Sequence, residues 1–151
     1  MALDDDIRAL ANVSLLRSLT QEHLRLLAFG AETVHLPAGR DLYREDTSVD
    51  CAYVVIRGRL TTFRTVGGER RPVGAMRPGE VLDEMALIVD VRRSTGAFAE
   101  IDTDLLRLNR TLFRRILEEY PDVASALHAE LSEAFAQMAD RIAQLQPRFD
   151  N

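Results

Sequence analysis

The sequence predicts a mainly β domain, an antiparallel sandwich or roll, with helices at both ends and the longest helix last. Three observations point there. Short β-prone runs, separated by glycine- and proline-marked turns, fill residues 31–109. Apolar residues at helical spacing are confined to residues 1–30 and 110–146. The 151 residues, 46% hydrophobic and 28% charged, have the size and composition of one domain, residues 1–151, around one core.

In the first segment, apolar residues recur at 3, 7, 10, 13, 16 and 19, with Asn12 and Ser14 marking a break between short helices. Thr20 reads as the N-cap of a helix over residues 21–29, with Gly30 just past its end. Strands are expected at 32–36 and, after Pro37-Ala38-Gly39, at 41–44. The run Cys51-Ala52-Tyr53-Val54-Val55-Ile56 and then residues 60–66 follow. Gly67-Gly68 marks a hairpin, because both residues tolerate positive φ. A further short strand ends at Pro78-Gly79, and residues 94–101 and 104–108 form the last pair. Tyr53, Val55, Leu60, Phe63, Leu87, Phe98 and Leu106 are the expected core of this region.

Asn109 is a plausible N-cap for a helix over 110–120, which Pro121 stops. The last helix, 122–146, would be roughly 35 Å long. Its larger apolar residues fall at 127, 131, 135, 138, 142 and 145, a continuous seam at spacings of three and four. That seam can pack back on the β region, pair with a second copy of the chain, or do both at different points. A homodimer through this helix is the expectation.

Composition excludes several classes. The net charge is −5, and the basic residues are all arginine or histidine, scattered among acids without a basic stripe, so direct nucleic-acid binding is not expected. No apolar run approaches the ~20 residues that span a bilayer, and the acidic start is unlike a secretory signal, so a cytoplasmic protein without membrane insertion is expected. The lone Cys51 excludes an internal disulfide, and His23, His35 and His128 lack metal-ligand spacing. Neither a Ser/His/Asp nor a Cys/His set is evident, and two acids of the β region, Asp83 and Glu84, lie side by side, where hydrolases set paired carboxylates across a bond. An enzyme is not expected, nor a cofactor.

Residues 82–95 interrupt the β region with a one-turn helix at 84–88 and a loop carrying Arg92 and Arg93. Free amides at such a turn suit an anion, arginines supply the opposing charge, and Glu84 can accept hydrogen bonds from a sugar hydroxyl. Together they describe a site for a phosphorylated sugar. A plainer alternative is a structural Glu84–Arg93 ion pair in an empty pocket.

Here the chain resembles the cyclic-nucleotide-binding domains of the catabolite activator protein, protein kinase A regulatory subunits and nucleotide-gated channels. Their phosphate-binding cassette reads roughly Phe-Gly-Glu-Leu-Ala-Leu, a short loop, then Pro-Arg-Ala-Ala. This chain has Leu82-Asp83-Glu84-Met85-Ala86-Leu87 and then Arg92-Arg93-Ser94-Thr95, with the same nine-residue step from Glu84 to Arg93. The resemblance runs from about Val13 to Leu145 and implies an antiparallel β-roll, related to the jelly roll or double-stranded β-helix, closed by the C-terminal helix.

It also implies roles. Glu84 would hold the ribose 2′-hydroxyl and Arg93 the cyclic phosphate, with the amides of Met85, Ala86 and Ser94 and the Ser94 hydroxyl completing the cradle beside Thr95. The last helix would lid the base near Met138 and Ala139, one turn after Phe135. The implied ligand is cyclic AMP before cyclic GMP, and the output is a movement of the last helix passed to an unidentified protein partner. Family transcription factors carry a helix-turn-helix after this helix; too few residues remain here for one.

The chain departs from the pattern in three places. Asp83 replaces a glycine, Arg92 replaces a proline or small residue, and Met138-Ala139 replace a hydroxyl pair. Asp83 could cap the turn and occupy its amides. Arg92 could pair with Asp83 or turn outward. The contrasting expectation is a degenerate domain that binds no nucleotide and serves dimerisation or docking.

Overall fold

The computed structural model describes residues 2–145, and the chain divides into two compact units with the boundary after Ile116. The first opens with α1 (Ala2–Leu10), a 3-10 turn (Ser14–Leu16) and α2 (Gln21–Gly30). Thr20 caps α2 through its hydroxyl, which accepts the His23 amide at 3.3 Å, while the His23 ring accepts the Thr20 amide. Gly30 is the last helical residue, not the residue beyond it. A Cβ there would sit 2.8 Å from the Leu112 side chain, so the absence of one lets the helix end approach residue 112.

Ten strands follow: β1 (Glu32–Leu36), β2 (Asp41–Tyr43), β3 (Ser48–Val49), β4 (Cys51–Arg57), β5 (Leu60–Val66), β6 (Glu69–Met76), β7 (Val81–Leu82), β8 (Val91–Arg92), β9 (Gly96–Ala99) and β10 (Thr103–Asn109). One sheet runs β1-β10-β4-β7, the other β2-β9-β5-β6, and β3 pairs with β8 in a small third ladder. Every pairing is antiparallel. Gly67 and Gly68 both take positive φ and close the β5–β6 hairpin as expected. β6 is an edge strand exposed along almost its whole length, which is why it tolerates Pro72.

Leu36, Val55, Leu82 and Leu105 of the first sheet meet Leu60 and Ala99 of the second in one cluster, with Tyr43, Tyr53 and Met76 packed against it. Of the residues expected in the core, Val55, Leu60, Phe63, Leu87 and Leu106 are buried, while Tyr53 and Phe98 are half-buried. The architecture is the antiparallel β-roll. The two-residue strands β3, β7 and β8 were not expected; each exists through its pairing partner, not through any periodicity of its own.

Asn109 accepts the Leu112 amide at 2.7 Å and so caps α3 (Arg110–Glu119). In the second unit, Pro121 is the first residue of α4 (Pro121–Leu145). Gln146, expected to end this helix, lies outside the described residues, as does the side chain of Leu145. Along the seam Leu127 is buried and Leu131 half-buried, whereas Phe135, Met138 and Ile142 are 73%, 54% and 62% exposed. No described helix is long and apolar enough to cross a membrane.

Candidate functional site

The site begins where β7 ends. Gly79, at φ 88°, turns the chain so that the amide of Val55 donates to Glu80 O, and β7 then pairs with β4 through Tyr53 and Val54. This pairing sends Leu82 into the core. Asp83 next takes φ 59° and ψ 40°, the left-handed region, and swings the chain into the 3-10 turn Glu84–Leu87. Ala86 and Leu87 are buried beneath that turn, and Met85 is exposed. The ladder of β3 and β8 is extended by Arg93 N→Thr47 O at 3.0 Å and Asp46 N→Arg93 O at 2.8 Å. Extended backbone alternates its side chains, so Arg92 and Arg93 leave in opposite directions.

Arg93 points inward. Its Nε donates to Asp83 Oδ2 at 3.3 Å, and Nη1 to Thr47 Oγ1 at 3.1 Å and Ser48 O at 3.2 Å. Its guanidinium lies 3.9 Å from the centroid of the Tyr43 ring, a stacked cation–π contact. The side chains of Arg93 and Asp83 are only 9% and 19% exposed. Burial pushes the Asp83 carboxyl above its ordinary value, against the pull of Arg93 and a hydrogen bond with Tyr43. Burial likewise pushes the Tyr43 phenol up, and the Asp83 charge adds to it.

Three alternatives left open by the sequence are decided here. Asp83 does not cap the turn, and its side chain makes no capping hydrogen bond. A capping residue has extended backbone, whereas the left-handed backbone of Asp83 delivers its carboxylate to Arg93 instead. Arg92 does not pair with Asp83 but turns outward to Asp46, its Nε 3.0 Å from Oδ1. Glu84 does not pair with Arg93. Its Oε1 accepts the Ser14 hydroxyl at 3.0 Å and the Leu15 amide at 2.5 Å.

The remaining expected site residues fall in several separate elements. The Ala86 amide, expected to be free for an anion, donates to Asp83 O at 2.9 Å. Ser94 is exposed and Thr95 half-buried on the bend between β8 and β9. Phe135, Met138 and Ala139 lie on an exposed face of α4 in the second unit.

Sequence reasoning missed four residues. Tyr43, Thr47 and Ser14 carry no local motif, and each reaches the site across a large gap in the chain. Arg110 donates to Ala86 O at 2.6 Å, Val49 O at 2.8 Å and Val89 O at 2.9 Å, and pairs with Asp90 at 2.5 Å. It thus ties the carbonyls at the end of the 3-10 turn to β3. The one available signal was an arginine placed first after a helix cap.

The model of the cyclic nucleotide-binding domain matches residues 33–120, more than half of the chain. The chain belongs to the cyclic-nucleotide-binding domain family. Among solved structures, a cyclic nucleotide-binding-like protein from Brucella abortus bv. 1 str. 9-941 is 50% identical, with a TM-score of 0.73, over 76% of this chain and 99% of that one. The regulatory domain of Toxoplasma gondii PKA, in co-crystals with cAMP, is 27% identical with a TM-score of 0.69, over 76% of this chain and 44% of that one. Neuropathy target esterase from Drosophila persimilis is 33% identical over 113 residues, 74% of this chain but 8% of that protein. The chain therefore spans a small fraction of the length of the esterase. Among the described residues of this cyclic-nucleotide-binding domain, no cluster of His, Cys, Asp and Glu is arranged to hold a metal.

Proposed function

We propose that this domain is a regulatory module that takes a cyclic purine nucleotide, cyclic AMP before cyclic GMP. Arg93 meets the cyclic phosphate, Glu84 the ribose 2′-hydroxyl, and the exposed Ser94 and the Met85 amide border the anion. The observation that carries the reading is Arg93 itself. A guanidinium 9% exposed, seated on Tyr43 and tethered by Thr47 and Ser48, is held ready for an anion inside the roll. The T. gondii domain, crystallised with cAMP, supports the choice of nucleotide. The output is a movement of α4 passed to a protein partner in the cytoplasm.

The exposed seam supports a homodimer through α4. Changing Phe135 and Ile142 together to Asp should then convert a dimer to a monomer in analytical ultracentrifugation. An unchanged sedimentation coefficient refutes the dimer.

A second reading is favoured by the Asp83–Arg93 pair: a domain whose phosphate arginine is already neutralised, acting only in dimerisation or docking. Calorimetry with cyclic AMP and cyclic GMP, beside an absorbance scan for co-purified nucleotide, separates the two. Saturable one-site binding, tighter for cyclic AMP, is expected. No heat at millimolar nucleotide favours the docking module.

A further inference from the structure

The 3-10 turn Ser14–Leu16 starts at Val13, which offers no side-chain cap to the amides of the turn. The partner comes instead from seventy residues along the chain: both donors at its start converge on one oxygen, Glu84 Oε1. The turn that presents them is fixed. Val13, Leu15 and Leu16 are buried, and Leu16 N closes on Val13 O at 3.0 Å. At the other end, Glu84 is the first residue of a turn anchored by buried Ala86 and Leu87. The carboxylate is therefore held at its backbone and at Oε1. Among the described residues, Oε2 takes no hydrogen bond.

We infer that Ser14 and the Leu15 amide are positioning groups, which fix the Glu84 carboxylate so that Oε2 faces a ligand hydroxyl as a pre-oriented acceptor. This rests on the nucleotide reading and extends it, making the N-terminal 3-10 turn part of the apparatus that recognises the sugar. Two donors on one oxygen remove the rotational freedom of the carboxylate before the ligand arrives. A hydroxyl that meets a fixed, charged acceptor makes the stronger kind of hydrogen bond. An analogue lacking that hydroxyl gains nothing from the arrangement. Ser14 thus governs discrimination between ribose and deoxyribose without touching either. By reciprocity, a ligand held by Oε2 tightens the hold of Oε1 on the turn.

The test compares cyclic AMP with 2′-deoxy cyclic AMP by calorimetry on the full chain, with thermal melts to confirm folding. The parent should prefer cyclic AMP, and Glu84→Gln should abolish most of that preference. Ser14→Ala removes one neutral donor and should narrow the preference by about 2- to 10-fold, with affinity for the deoxy analogue unchanged. Ser14→Thr, which keeps the hydroxyl, should restore it. Hydrogen exchange at the Leu15 amide should slow with cyclic AMP and not with the deoxy analogue. Equal loss of affinity for both nucleotides in Ser14→Ala, or an unchanged ratio, overturns the positioning role while leaving the nucleotide reading intact. A parent that binds neither nucleotide at millimolar concentration overturns that reading, and the positioning role falls with it.

Discussion

Arg92 and Arg93 are neighbours in the chain and opposites in environment. Arg92 and its partner Asp46 are 67% and 83% exposed, whereas Arg93 and Asp83 are 9% and 19% exposed. Both are single Arg–Asp pairs of similar length, 3.0 and 3.3 Å. What separates them is one residue of β alternation, which sends one guanidinium to water and the other onto Tyr43. In water the charges are screened and each half is easily replaced. Inside the roll each charge depends on the other, and a ligand anion must compete for Arg93 with a carboxylate already in place. The same chemistry is decoration at one position and a candidate site at the next.

The sharpest way to break this contrast is to remove the inward guanidinium. Arg93→Ala should weaken cyclic AMP binding by about 2–5 kcal/mol, because the phosphate would remain buried without its partner. Calorimetry reads that as a loss of roughly 30- to several thousand-fold in affinity. An affinity within threefold of the parent would show that the phosphate does not meet Arg93.

Asp83→Gly sharpens the contrast from the other side. A carboxylate about 4 Å from a phosphate repels it by about 4 kcal/mol at an effective dielectric of about 20, so its removal should tighten binding by at most about three decades. Glycine also relieves a left-handed backbone that costs a non-glycine residue about 1–2 kcal/mol. The thermal shift produced by cyclic AMP should therefore be larger in Asp83→Gly than in the parent. A docking module predicts measurable binding only in this variant.

The same residue sets a pH dependence. The folded-state Asp83 carboxyl titrates above its ordinary 3.8, so it binds its proton more tightly in the folded than in the unfolded chain. Its contribution to stability is fully present below that ordinary value and is lost as pH rises through the folded one. A bound phosphate would raise the carboxyl further, so nucleotide affinity should increase as pH falls toward the acidic range above 3.8. Tyr43 does not titrate in this window, since its phenol is pushed upward. Asp83→Asn should flatten the profile; an equally steep profile in that variant assigns the proton elsewhere.

How much of this was legible in the sequence depended on reach. The runs at 51–56 and 60–66 declared themselves, because seven-residue strands rich in β-branched and aromatic residues carry their own propensity and the glycine pair fixes the hairpin. The strands β3, β7 and β8 carry two residues each, too few for any period, and follow only from their neighbours. The nine-residue step from Glu84 to Arg93 was visible. The partners of both residues were not, because Tyr43, Thr47 and Ser14 lie far upstream and meet the cassette only once the roll closes. The left-handed backbone at residue 83 was hidden by its side chain. A glycine there would have announced the conformation, whereas an aspartate reads first as a helix cap.

The smallest expected effect belongs to Arg92, and it decides whether alternation is the right explanation. Arg92 Nε meets Asp46 Oδ1 at 3.0 Å, and Nη2 meets the Asp46 carbonyl at 2.6 Å. Asp46 itself holds positive φ, in the loop whose amide donates to Arg93 O. Arg92→Ala removes an exposed ion pair, which is worth about 0–1 kcal/mol, so melting should fall by no more than a few degrees. Nucleotide affinity should stay within about threefold, since the guanidinium faces away from Arg93 and its charge is screened over roughly 8–10 Å of saline. A loss approaching that of Arg93→Ala would mean that Arg92 reaches the phosphate when ligand is bound. The two arginines would then act together on the anion, and their opposite placement would describe only the ligand-free domain.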